Sequence, residues 1–271
     1  MHCDSRTGSG STERIWSIFD SATKLAAAWL VEAGKAIAVT GAGVSTESGI
    51  PDFRSATGLW ARFDPQEYAT IGAFRKNPEK VWTMLVALEE VLRAEPNAGH
   101  RALAALEAEG GIAGIVTQNV DGLHQQAGSS VVVEFHGSHR TFTCLSCGAC
   151  YAREQVASMT VPPRCTAGSP RARCAAVLKP DVVFFDELIP APALRDTDRL
   201  LAGADLVLVI GTSCEVYPAA AIPQTVRACG GRIVEMNLEP AADLSSDLFL
   251  PGPFTRTMPH LLAAWRRQRG R

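Results

Sequence analysis

The sequence predicts an α/β fold, a doubly wound parallel sheet with a small inserted cysteine module. Three observations lead there. Short apolar runs of strand length alternate with segments whose apolar residues recur at helical spacing. Five of those runs end in glycine or polar residues, at the carboxyl edge where such sheets bind ligands. From about residue 138 to residue 178 the alternation gives way to cysteines, prolines and arginines. The 271 residues, 46% hydrophobic and 20% charged, suffice for one substantial core. A net charge of −2 supplies no field favouring nucleic acid or an anionic membrane. No apolar run reaches the ~18 residues of a membrane-spanning helix. The polar segment Met1–Thr12 lacks the hydrophobic stretch of a secretory signal. A soluble cytoplasmic protein is expected, with neither nucleic acid nor membrane as partner. In that setting eight cysteines read as metal ligands or buried thiols.

Residues 1–17 read as a flexible tail, Ser/Gly-rich over 5–12, and 18–271 as the main domain. From about Ile18 to Ala33, Phe19, Ala22, Leu25, Ala26, Trp29 and Leu30 form a helical stripe closed by Gly34. Lys35–Thr40 is the first strand. Gly58-Leu59-Trp60 predicts a loop packed down by aromatics, with short helical pieces after Asp64-Pro65. Pro78 opens a helix striped by Val81, Trp82, Leu85, Leu88, Val91 and Leu92. Asn97 begins another, stopped by Gly110-Gly111. Ile112–Thr117 and Val131–Phe135 are the next strands. Beyond the module, Val182–Phe185 resumes the periodicity, followed by a helix over about Ala193–Ala202 and the strand Asp205–Ile210. A helix over about Pro218–Cys229, strands Arg232–Met236 and Leu248–Leu250, and a helix from Met258 complete the domain. The basic run Arg266–Arg271 reads as a solvated, frayed end.

The first strand runs into Gly41-Ala42-Gly43-Val44-Ser45-Thr46-Glu47-Ser48-Gly49-Ile50-Pro51-Asp52-Phe53-Arg54. Gly41 and Gly43 present backbone N–H groups where a pyrophosphate could approach without meeting a Cβ. The usual dinucleotide fingerprint has a third glycine where this chain has Thr46, which weakens a dehydrogenase reading. Arg54 suits phosphate and Phe53 a ring or sugar; a plain strand–helix turn is the alternative. The other strand ends carry Gln118-Asn119-Val120-Asp121, His136-Gly137, Gly211-Thr212-Ser213 and Asn237-Leu238-Glu239. Asn237 and Glu239 suit ribose hydroxyls, and Gln118, Asn119 and Asp121 suit an amide or a sugar. His136, with an ordinary pKa near ~6.5, is the candidate general base. His124 reads as packing, His139 as surface, and His2, His100 and His260 as uninformative.

Cys144-Leu145-Ser146-Cys147 is a metal knuckle, and seventeen residues separate it from Cys165. Cys174 follows after eight more, a stretched second pair. Cys144, Cys147, Cys165 and Cys174 are the favoured structural zinc ligands, with Cys150 able to replace a member of the second pair. Four sulfurs leave no open position, so such a zinc folds the module and does no chemistry. Cys3, Cys214 and Cys229 read as tail or core thiols.

The segment Gly41–Arg54 resembles the cofactor loop of the sirtuins, the NAD-dependent protein deacylases. Thr117-Gln118-Asn119-Val120-Asp121-Gly122-Leu123-His124 is similar to their second signature, His136-Gly137 to their catalytic histidine, and the Gly211 and Asn237 motifs to their remaining cofactor contacts. The resemblance runs from about Ile37 to Leu261. It implies a Rossmann-like NAD-binding domain, a zinc module over 138–178, and acylated lysine in a protein or peptide as substrate. It implies NAD contacts from Gly41, Ala42, Gly43, Ser45, Glu47, Asp52, Phe53, Arg54, Gln118, Asn119, Asp121, Gly211, Thr212, Ser213, Asn237, Leu238 and Glu239. His136, Asn119 and Asp121 would serve catalysis, giving free lysine, nicotinamide and O-acyl-ADP-ribose. Val182, Val183, Phe184 and Phe185 resemble the segment that pairs with the peptide. ADP-ribosyl transfer to protein is the alternative use of the same cofactor. Three departures stand out: Asp186 where the family commonly has glycine, the stretched cysteine pair, and Phe254-Thr255 in place of Ala-Gly. Asp186 puts a charge near the peptide groove that favours basic flanking residues. Leu85-Val86-Ala87-Leu88 replaces the Tyr-x-x-Arg of members specialised for acidic acyl groups, so an uncharged acyl group is expected.

Overall fold

The structure, a computed structural model, describes residues 9–53, 55, 58–91, 94–169 and 172–270, with side chains from residue 19 onward except 89–91. Helix α1 spans Ser9–Glu32 and starts well before the apolar stripe at Ile18, because backbone hydrogen bonding extends a helix beyond its packed positions. Strand β1 (Ala36–Thr40) is buried throughout and leads into two single turns, Ala42–Val44 and Thr46–Ser48. Gly49, at φ 91°, ends the second turn in a left-handed conformation that glycine adopts without strain. Then come α2 (Pro65–Tyr68), capped by Asp64, α3 (Ile71–Lys76), capped by Thr70, and α4 (Pro78–Val91). Asn97 caps α5 (Ala98–Ala108): its Oδ1 accepts the N–H groups of Gly99 and His100, and its own N–H donates to His100 Nδ1. Next are β2 (Ile115–Thr117), α6 (Leu123–Gln126) and β3 (Val132–Glu134).

The module follows as β4 (Gly137–Cys144), β5 (Cys150–Ala152), α7 (Arg153–Ala157), β6 (Gly168–Ser169), β7 (Ala172–Arg173) and β8 (Leu178–Val182). The chain closes with α8 (Ala191–Leu201), β9 (Leu206–Ile210), α9 (Ala221–Ala228), β10 (Arg232–Asn237), β11 (Leu248–Pro251) and α10 (Phe254–Arg269). The main sheet has the order β11-β10-β9-β1-β2-β3 and is parallel throughout; β5-β4-β8 form a separate antiparallel sheet. From β1 the chain winds one way to β2 and β3, then the other way to β9, β10 and β11. The switch point, where such sheets open a ligand crevice, therefore lies between β1 and β9.

Alternation along the strands divides the core. Ala36, Ala38, Leu208, Ile210, Val234 and Met236 pack with residues of α1, α5 and α10, whereas Ile37, Val39, Val207, Val209 and Ile233 pack with residues of α8 and α9. A third cluster joins α3 and α4 to the module through Phe74, Trp82, Leu85, Phe142, Leu178 and Phe184. Trp82 stacks on Phe142 at 6.1 Å, and its Nε1–H donates to the Leu178 carbonyl at 2.9 Å. Among the described residues no helix is long and apolar enough to cross a membrane.

Two sequence expectations are corrected here. Strand β8 ends at Val182, where the periodicity places its start, because Lys179 and Pro180 disguise the strand. Lys179 is only 5% exposed: its Nζ donates to the Pro180 and Val182 carbonyls and pairs with Glu187 at 2.8 Å. The basic end is also not frayed. Helix α10 continues to Arg269, Arg266 pairs with Glu109, and Arg269 bonds the Glu109 carbonyl and lies 4.9 Å over the Trp265 ring.

Candidate active site

The strand ends open into one cavity of about 810 Å³, within the size range of ligand pockets. Every predicted cofactor and substrate residue lines it except Arg54, which lies outside the described residues. The glycines have a different task from the one the sequence suggests. A Cβ on Gly41 would lie 2.7 Å from Thr212 Cβ, and one on Gly43 would lie 2.8 Å from Gly211 Cα. They let the loops after β1 and β9 close on each other, and Gly43 N–H donates to the Gly211 carbonyl at 2.8 Å.

Side chains then tie the loops together. Asn119 Nδ2 donates to the Gly41 carbonyl at 3.1 Å and to Ser45 Oγ at 3.2 Å, while Ser45 Oγ donates to Asp121 Oδ2 at 2.7 Å. Burial pushes the Asp121 carboxyl above its ordinary range, opposed by donation from Leu123 N–H and from Ser45. Gln118 Nε2 donates to Thr212 Oγ1 at 3.0 Å. Asn237 exchanges two bonds of 3.1 Å with the Thr212 backbone. Glu47 is committed elsewhere, accepting the Thr255 N–H and hydroxyl at the start of α10, and Asp52 accepts the Ser55 N–H. Ala42, Ser213, Leu238 and Glu239 reach the cavity wall, Leu238 being strongly exposed. Phe53 lies 5.2 Å from Trp60, which lies 6.1 Å from Phe185, an aromatic row along one wall.

His136 follows β3 by two residues, and its Nδ1 lies 3.2 Å from the Gln118 carbonyl. A carbonyl only accepts, so Nδ1 carries the proton and Nε2 keeps a free lone pair. Burial lowers the imidazole pKa below its ordinary value, and the Gln118 contact opposes this only in part. The ring is therefore neutral near pH 7. His124 is buried: its Nε2 lies 2.9 Å from Thr40 Oγ1, and burial beside His100 takes its pKa to about 3. His100, expected to be uninformative, caps α5 and lies 4.9 Å from the His124 ring. His139 is not on the surface. It is buried and lines the cavity, with a pKa taken to about 4 by burial, Arg153 and Lys179. Strict alternation along β4 gives no signal of this, since His139 and Phe142 are both buried although three residues apart, and the β4–β8 register shifts between Gly137 and Phe142.

The N–H groups of Val183, Phe184 and Phe185 are used within the chain, donating to the His136 carbonyl, Glu187 Oε2 and the Ala69 carbonyl. Asp186 sits at φ 66°, a left-handed position that suits glycine and that aspartate tolerates better than most residues. Sequence reasoning missed Val216 and Tyr217 on the cavity wall; the only pointer was their place just after Gly211-Thr212-Ser213. Met84, Leu85 and Leu88 of α4 supply an apolar wall.

In the module, the sulfurs of Cys144, Cys147, Cys165 and Cys174 all lie within 4.8 Å of one another, with the pairs 144–174 and 147–165 at 3.5 Å. Zinc–sulfur bonds of ~2.3 Å make a tetrahedron with edges of about 3.8 Å, so the donor set fits zinc. Cys150 stands apart, its sulfur 3.7 Å from Thr143 Oγ1. Cys214 is a buried thiol, whereas Cys229 is exposed rather than in the core.

A model of the Sir2 family matches residues 41–218. NAD-dependent protein deacylase 2 of Pyrobaculum aerophilum is 44% identical over 234 residues, covering 86% of this chain and 91% of the relative. The NAD-dependent protein deacylase of Pyrococcus furiosus is 43% identical over 246 residues, covering 88% and 96%. Among solved structures, a Sir2 homolog–NAD complex superposes with a TM-score of 0.76 at 40% identity, covering 88% of this chain and 92% of that one. A Sir2 variant with a deacetylated peptide and 3′-O-acetyl ADP-ribose gives 0.80 at 33% identity, covering 89% and 97%.

Proposed function

This chain belongs to the Sir2 family, and from that premise we propose that it is an NAD-dependent protein lysine deacylase whose expected reaction is deacetylation. The observation that carries the reading is His136: a neutral imidazole, held by its Nδ1–H on the Gln118 carbonyl, in a cavity walled by the loops of five strand ends. Bound NAD would supply the ribose carbon that receives the acyl oxygen as nicotinamide leaves. The cradle fits it, because the β1 and β9 loops close at the switch point and Asn119, Asp121, Thr212 and Asn237 line the cavity beside them. Asn119, Ser45 and Asp121 form one hydrogen-bonded unit, which we assign to holding the nicotinamide end. His136 takes a proton at Nε2 from a ribose hydroxyl, and Phe53 shields the sugar from water. Gly211, Thr212, Ser213, Asn237, Leu238 and Glu239 hold the adenosine end.

An acylated lysine would enter past Val182–Phe185. That segment is assigned to pairing with the peptide, as its resemblance implies. The wall of Met84, Leu85 and Leu88 suits an uncharged acyl group. Residues 138–178 are the zinc module of a catalytic domain covering 18–271, with Zn²⁺ on Cys144, Cys147, Cys165 and Cys174. The free, exposed thiols Cys150 and Cys229 support a cytoplasmic setting, and the net charge of −2 supports a protein substrate rather than nucleic acid.

The test is nicotinamide release from NAD with an acetylated-peptide library, for wild type and His136→Ala. Strict NAD dependence and at least ~100-fold loss in the variant are expected. A loss of only a few-fold would move the base elsewhere. Label from NAD retained on protein would favour ADP-ribosyl transfer.

A further inference from the structure

Glu235 lies in the middle of β10 and is completely buried, on the strand face that also carries Ile233. A carboxylate there is costly unless its oxygens are well bonded. Its bonds all go to one place. Oε1 accepts Asn237 Nδ2 at 2.8 Å and the Ala241 N–H at 2.6 Å, and Oε2 accepts the Ser246 hydroxyl at 3.0 Å. These donors sit at the start, the middle and the end of the connection from β10 to β11, so the connection is folded around one carboxyl group. The same Asn237 amide exchanges two bonds with the Thr212 backbone, and Thr212 Oγ1 accepts Gln118 Nε2. Through Asn237, Glu235 therefore reaches the loops after β9 and β2. The connection itself lines the cavity with Leu238, Glu239 and Ala242.

We propose that Glu235 is a positioning residue for nucleotide binding: its buried carboxylate fixes the β10–β11 connection and the Asn237 amide in the geometry that receives the adenosine half of NAD. The inference rests on the proposed NAD site. It separates that half from the acyl-lysine end, where none of Glu235's three partners lies. Its first effect is thus on NAD, and it reaches His136 only at one further remove, through Gln118.

The variants are Glu235→Leu, which removes every acceptor, Glu235→Gln, whose amide oxygen can serve Asn237 and Ala241 while its NH₂ faces the Ser246 hydroxyl, and Ser246→Ala. Steady-state KM and kcat are measured for NAD and an acetylated peptide, with ADP-ribose affinity by calorimetry. Glu235→Leu is expected to raise KM for NAD and Kd for ADP-ribose about 10-fold or more, with the peptide KM and kcat within about 3-fold. Glu235→Gln should recover most of the loss, and Ser246→Ala should raise KM for NAD about 3-fold. Wild-type affinity for ADP-ribose in Glu235→Leu overturns the proposal, as does a parallel loss in kcat and both KM values. If Glu235→Leu does not fold, an unchanged KM for NAD in Ser246→Ala overturns it. Wild-type protein that binds neither NAD nor ADP-ribose would instead sink the underlying deacylase reading.

Discussion

In the cleft, Asn119, Ser45 and Asp121 are joined by hydrogen bonds of 2.7 to 3.2 Å; in the module, Cys144, Cys147, Cys165 and Cys174 bring four sulfurs within 4.8 Å of one another. The first arrangement is made of donors matched to acceptors, so the chain alone determines it. The second gathers four groups of one kind, which repel one another once ionised and have only weak S–H bonds to exchange otherwise. Its order is a property of the chain together with an ion. The cleft is thus held by internal hydrogen bonds, while the module, which packs on α4, has a donor set that suits coordination.

The strongest way to break this contrast is to withdraw the metal. Chelation, or Cys174→Ala, is expected to cost the module on the scale of ~10 kcal/mol of local folding free energy. The readout is loss of bound zinc and of amide protection in β4, β5 and β8, with β1 and β9 still protected. Persistent protection of β4 without zinc would erase the difference between the two regions. Acid should act on both sides, because His100 and His124 belong to α5 and α6 whereas His139 lies in β4 of the module, whose thiolates also lose zinc on protonation. Burial holds His100 and His139 at about 4 and His124 at about 3, below an unfolded value near 6.5. Between those values the unfolded chain binds more protons, so stability rises with pH. The contribution is complete above about 6.5 and is lost as pH falls toward 4 and 3, by several kcal/mol in total. Urea titrations at pH 7 and pH 5 check it, and a flat profile would deny these imidazoles their buried, neutral state. The smallest effect belongs to the seam between the regions. Asp186→Gly relieves a left-handed aspartate and is expected to add about 0.5 to 1 kcal/mol of stability, while removing any preference for basic residues beside the acyl-lysine. Peptide arrays of wild type and variant, with melting curves, measure both.

Most of the fold is legible because each strand of the main sheet is a short apolar run with its punctuation attached: Thr40 before Gly41, Thr117 before Gln118, Ile210 before Gly211. The cleft is legible for the same reason, since its residues are the punctuation. What escapes is chemistry that looks like its opposite. Lys179 and Pro180 hide a strand, and Glu235 sits unmarked within a buried one, because their partners lie at positions that periodicity does not weigh. His139 escapes because its burial depends on the module folding back over the cavity. The stretched cysteine pair resolves simply. Residues 168–169 and 172–173 pair as a two-stranded hairpin, which shortens the path between Cys165 and Cys174.

Trp82 belongs to α4, stacks on the module's Phe142 and donates to the module's Leu178 carbonyl. Indole emission responds to the polarity and the hydrogen bonding around the ring. This side chain is thus an intrinsic optical gauge of whether the two halves of the seam are docked, read as the difference between wild type and Trp82→Phe because four other tryptophans also emit.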